Sequence, residues 1–276
     1  MKIIRKIISY ILAIILVTLM SATIILSIVN AVVFSKSNVK KQMQKVDYYT
    51  EINNIIKESA NNYIMQSGFD ESIMDNVIPK EKINNDIDKV INAIYEGEEV
   101  EISTYEIKTS LDKNVQQYIA QNNYKVDAQT QKDIEKFEDK IESIYANSIT
   151  YSKSTIKKVV KYFKMAKRMT RVALIASSIL LIIFAIITYK TNRATFGISL
   201  LATGIICIFI KCYSSINIAV NNILMVNKTF SNLMINIINQ VIQYVFIGGI
   251  ILAVLGIALI IIFERKSANE KYEENL

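Results

Sequence analysis

The chain has 276 residues, 51% of them hydrophobic, and its 32 basic against 25 acidic side chains leave a net charge of +7. One Pro and seven Gly are few for the turns of a soluble domain of this size, which argues for a small number of very long helices. The lack of His removes the commonest general base and transition-metal ligand, and two Cys (Cys207 and Cys212) exclude a disulfide framework and a Cys-rich zinc site.

Residues 1–34 join the basic tail MKIIRK to an apolar run over 7–33. The run is long enough to cross hydrocarbon and too long for the core of a cleaved leader, so it reads as an uncleaved signal anchor. Residues 35–68 are expected to continue as helix, with an apolar stripe of Val39, Met43, Val46, Tyr49, Ile52, Ile56 and Tyr63, and Gly68 as its cap. Residues 69–127 read as short helices. One opens at Pro79 and closes at Gly97, EEVEI is briefly extended, and a Ser103–Glu106 capping box opens the next.

From 128 to 171, Ile134, Phe137, Ile141, Ile144, Ser148 and Tyr151 keep the 3–4 spacing of a coiled-coil seam. After a slip near Ser152 the seam resumes at Ile156, Val159, Phe163 and Ala166. Lys157, Lys161, Lys164, Arg168 and Arg171 form a parallel basic stripe, and the helix is expected to run on into a second span at 172–189.

A short turn, 190–194, precedes a third span at 195–210, and a fourth covers 244–263 before the tail 264–276. Within 195–243, Asn217, Asn221, Asn232, Asn236 and Asn239 make a polar stripe on an apolar background. We read it as an outer helical hairpin extending spans three and four; a re-entrant segment lining a polar cavity is the alternative. Small residues recur at helix-contact spacing: Thr23, Ser27 and Ala31; Ser199, Thr203 and Cys207; Gly249 and Ala253. Such ribbons let helix backbones approach, which predicts a packed bundle.

MKIIRK and the basic turn KTNR (190–193) point to the cytoplasm, placing both termini inside and residues 35–168 outside. Lysines also flank the large insert, but long inserts cross largely regardless of charge. Residues 46–142 hold ten Lys against 21 Asp and Glu, whereas 35–45 and 143–168 are purely basic. The expected fold is an all-α integral membrane protein with four transmembrane helices. Two of them continue into a long antiparallel extracytoplasmic stalk, basic at the membrane and capped by a small acidic helical head.

No phosphate-binding loop, dinucleotide fingerprint, zinc-protease motif or nucleophile elbow is present, and we expect no catalysis, cofactor or metal site. Acidic clusters at Asp70, Glu71, Asp75 and at Glu96–Glu101 lack EF-hand spacing and read as helix starts and a solvated loop. The basic stripe, fused to a span, suits anionic lipid headgroups better than nucleic acid. The expected function is non-enzymatic: presentation of the stalk and head to a protein partner, or to a second copy in a homo-oligomer, as scaffold, receptor or assembly factor. The span order (anchor, large outer insert, three further spans with a small outer hairpin) is similar to that of the cell-division and macrolide-exporter class of ABC permeases. That resemblance implies a permease-like or channel subunit working with a separate ATPase. The long amphipathic helix that usually precedes their first span is missing here.

Overall fold

The computed structural model describes residues 2–150, 153–216 and 228–273. Among them there is no strand. The helices are α1 (Lys2–Val32), α2 (Lys36–Lys45), α3 (Tyr48–Ser67), α4 (Lys80–Glu96), α5 (Tyr105–Gln121), α6 (Ala128–Thr150), α7 (Lys153–Thr191), α8 (Arg193–Ile216) and α9 (Lys228–Glu273). A 3-10 turn covers Glu71–Met74. The chain divides into two compact units, Met1–Val39 with Lys167–Leu276, and Lys40–Ala166. Among the described residues, four helices are long and apolar enough to cross a membrane.

In the first unit α1, α8 and α9 pack on one another. The α8–α9 crossing is made by glycine. A Cβ on Gly204 would lie 2.5 Å from the Ala253 amide nitrogen, and one on Gly249 would lie 2.7 Å from Cys207 Cβ. No other residue permits that approach, so the small ribbon on α9 and the Cys207 edge of α8 are true contacts. Ser199 and Thr203 are buried toward a different neighbour, with Thr203 Oγ1 donating to its own Ser199 carbonyl and lying 3.7 Å from Met20 Sδ of α1.

The ribbon on α1 divides: the Thr23 hydroxyl is buried, whereas Ser27 and Ala31 are exposed, and the most deeply buried side chains of α1 are Leu16, Met20 and Val32. Met20 of α1 is buried beside Thr203, whereas Ser199 lines a cleft of about 420 Å³ together with Ala13, Ile14, Val17 and Thr18 of α1. The expected helical extension before the fourth span is continuous with it, because α9 runs unbroken for 46 residues.

The first span does not continue as one helix to residue 68. Ser35 Oγ accepts the Asn38 backbone N–H and starts α2, while Asn38 Nδ2 donates to the Val32 carbonyl at 3.0 Å and closes the last turn of α1. A second break falls at Asp47, whose φ of 49° no α-helix accommodates. On the other side, α6 ends at Thr150 and α7 begins at Lys153; the expected slip near Ser152 lies outside the described residues.

In the second unit α3 and α6 pack on each other. Ile52, Ile56, Ala60 and Ile64 are buried on α3, and Ile134, Phe137, Ile141 and Tyr145 on α6, with Tyr63 stacked on Phe137 at 5.6 Å. Residues 69–127 lie along this pair: α4 packs on α3 and α6, and α5 on α6 and the 3-10 turn. The reason is that α4 and α5 each carry an apolar stripe that a cap at the far end would leave half wet. Ile107, Leu111 and Val115 of α5 are fully buried. At about 1.5–3 kcal/mol each they outweigh the exposed Lys108–Asp139 ion pair, worth about 1 kcal/mol at most.

The helix starts hold one further correction. Pro79 and Gly97 bound α4. The Ser103–Glu106 box does not form, because Thr104 is the N-cap of α5 and its hydroxyl is drawn to Glu142, while Glu106 reaches Lys82 at 3.5 Å. Unlike a capping glutamate, Glu106 gains a cation by turning away from the backbone.

Candidate functional site

The basic stripe meets an acidic loop. Gly97, at φ 79°, ends α4 in the left-handed conformation, and both its N–H and that of Glu98 reach the Ala93 carbonyl. The chain then passes along the N-terminal half of α7. Glu99 pairs with Lys157 at 2.7 Å, Tyr95 meets Phe163 edge-on at 4.7 Å, and a Cβ on Gly97 would lie 2.8 Å from Lys164 Cδ. Glycine is therefore needed at 97 for its dihedral, and the flexible Lys164 side chain lies over its bare Cα. Glu98 and Glu99, expected with the acid of a distant tip, sit instead beside the lysines.

A cleft of about 300 Å³ opens between the loop and the helix. Gly97, Val100, Ile156 and Val160 give it apolar walls, and Lys157, Lys161, Lys164, Glu98 and Glu99 line its polar edge. Lys157, Lys161 and Lys164 are thus brought together. Arg168 and Arg171, exposed further along α7, do not line it.

The asparagine stripe is only partly described. Asn217 and Asn221 lie outside the described residues; Asn232 and Asn239 are exposed and Asn236 is half-buried. The polar contact here was not legible from spacing. Gln240 of α9 exchanges two hydrogen bonds with Asn38 of α2, and Lys211 of α8 bonds Gln243 while lying 4.7 Å over the Phe246 ring.

Two buried carboxyls occupy the core of the second unit. Asp86, 1% exposed, accepts from Tyr145 Oη at 2.7 Å and Lys89 Nζ at 2.8 Å, with Lys82 Nζ at 3.3 Å. Burial pushes its pKa up, but these three donors outweigh burial and hold it below the usual carboxylate value. Glu138, 4% exposed, has the opposite fate. Its Oε1 has no hydrogen-bond partner, and burial, reinforced by Asp112, Asp139 and Glu142, lifts its pKa to about 7 against the pull of Lys108. A signal for both was present: Asp86 stands three residues after Ile83, and Glu138 lies between Ile134 and Ile141, all on buried stripes. No group of three His, Cys, Asp or Glu among the described residues is arranged to hold a metal ion.

Compared with known proteins, the chain matches no described family, no curated protein and no solved structure. What the fold itself defines is a class. Described residues without a strand, among them four helices long and apolar enough to span a bilayer, fit a multi-pass membrane protein.

Proposed function

We propose that this is a non-enzymatic multi-pass membrane protein that holds its helical insert, residues 40–166, on the extracytoplasmic side for a protein partner to bind. The carrying observation is that the insert has a core of its own. Ile56, Ile64, Ile83, Ile107, Leu111 and Ile141 are all fully buried within it. A unit that buries its own apolar stripes needs no bilayer to fold, and its outer surface is left for recognition. In this reading α3 and α6 are the stalk, α4 and α5 thicken it into a bundle, and both termini lie in the cytoplasm.

Purification of the full-length protein in mild detergent, followed by crosslinking on intact cells through a Cys placed at Lys132, exposed on α6 and retained when residues 69–127 are removed, tests this reading. A discrete crosslinked protein that disappears when residues 69–127 are replaced by a short linker supports it. Co-purification of an ATPase bound to the cytoplasmic side, with no partner on the insert, would favour the permease-like reading instead.

A further inference from the structure

The cleft under the 97–100 loop has the chemistry of an amphiphile site, and nothing in the partner-presenting reading uses it. Its walls are apolar: Val100 and Val160 are half-buried, and Ile156 is 8% exposed. Its volume, about 300 Å³, is at the lower end of what small-molecule sites occupy.

The polar edge is asymmetric. The Glu99–Lys157 pair is internally neutral and straps the loop to α7. Lys161 and Lys164, one turn apart on α7, form no ion pair among the described residues. Glu98 is the one further carboxylate on the lining, so the edge carries a single net positive charge. That balance suits a monoanion and disfavours a polyanion, which Glu98 would repel. The cations lie beside an apolar wall, and a fully hydrated small ion gains nothing from burying that wall.

We infer that this cleft binds one monoanionic phosphodiester lipid, its phosphate held between Lys161 and Lys164 and the start of its apolar part against Val100, Ile156 and Val160. In sequence the apolar run of α7 begins at Val172, eight residues after Lys164, so a bilayer lipid is a better source than a free phosphate. Glu98 acts as a selectivity element that rejects doubly charged headgroups. The binding does not depend on which side of the membrane the insert faces, nor on its having a protein partner.

The test uses the full chain in a neutral detergent, titrated with phosphatidylglycerol and read by native mass spectrometry. One lipid should be retained per chain, and Lys161→Gln and Lys164→Gln should each weaken retention roughly fivefold. Lys132→Gln and Lys140→Gln, exposed lysines on α6, should leave it unchanged. Glu98→Gln should strengthen retention and admit phosphatidic acid, a gain that a misfolded variant could not produce. Equal loss from all four lysine variants would reduce the effect to general charge attraction and overturn the site. Competition by inorganic phosphate at equal concentration would assign the cleft to a free anion and overturn the lipid. No retention by the wild type overturns both.

Discussion

The carboxamides of Asn38 and Gln240 face each other across the first unit in a reciprocal pair: Asn38 Nδ2 donates to Gln240 Oε1 at 2.9 Å, and Gln240 Nε2 donates back to Asn38 Oδ1 at 3.0 Å. The two residues are 202 positions apart. Asn38 also donates to the last carbonyl of α1, so one amide closes α1, sits in the first turn of α2 and ties both to α9. An amide satisfied by another amide is a defined joint between helices, because each would otherwise be left with an unpaired donor and acceptor.

Asn38→Leu or Gln240→Leu leaves the opposite amide without its partner and should lower stability by about 1–2 kcal/mol. The double variant should lose less than the two single losses added together, because neither amide is then left facing a missing partner. Thermal unfolding of the protein in detergent reads this. Simple additivity would mean that the two amides do not act as a pair.

Gly204→Val should separate α8 from α9, because its Cβ alone already meets the Ala253 backbone at 2.5 Å. Backbone cannot swing aside as a side chain can, so we expect a loss of about 3 kcal/mol or more. Ser27→Val, on the exposed face of α1, should change stability by less than about 0.5 kcal/mol. Size-exclusion profiles and melting midpoints of the two variants decide the matter. Equal behaviour would remove the glycine contact from the account.

Glu138 makes stability depend on pH. Its folded pKa, about 7, lies above its ordinary 4.5, so the folded protein binds a proton more tightly than the unfolded chain does. Stability from this group is therefore full below about pH 4.5 and is lost as pH rises toward 7. Glu138→Gln should protect α5 and α6 from amide exchange at pH 8, by about 1–3 kcal/mol, and make no difference near pH 5. An equal effect at both pH values would show that Glu138 is not protonated on burial.

Asp86 has the opposite sign. Its folded pKa is depressed below the ordinary 3.8, so its contribution is present at neutral pH and fades only as the solution is taken below that value. Asp86→Asn should cost about 2 kcal/mol at pH 7, with the loss localised by hydrogen exchange to α4 and α6. Tyr145→Phe should cost about 1 kcal/mol through the same contact. If Asp86→Asn is neutral at pH 7, the two lysines contribute nothing through it.

Orientation is open to a direct check. With Cys207 and Cys212 replaced by Ser, a cysteine at Lys125, in the exposed turn between α5 and α6, should react with an impermeant thiol reagent on intact cells. A cysteine at Ser267 should react only after the cells are opened. The reverse pattern places the insert in the cytoplasm and ends the proposed function as stated.

Spacing alone located the four apolar helices, the bounds of α4 at Pro79 and Gly97, and the seams that make α3 and α6 partners. These are local properties: a run of hydrophobic residues or a 3–4 repeat states which face of a helix must avoid water. It does not state what covers that face. Whether the stripe on α5 would cap a pair of helices or lie along it, whether Thr203 would meet α1 or α9, and that Glu99 would reach Lys157 were all decided by the tertiary structure. Each depends on burying one long stripe against another, and the energy of burial is the same whichever partner supplies the apolar surface. Shape and the few directional contacts then choose among partners, and those involve residues far apart in the chain, as Asn38 and Gln240 are.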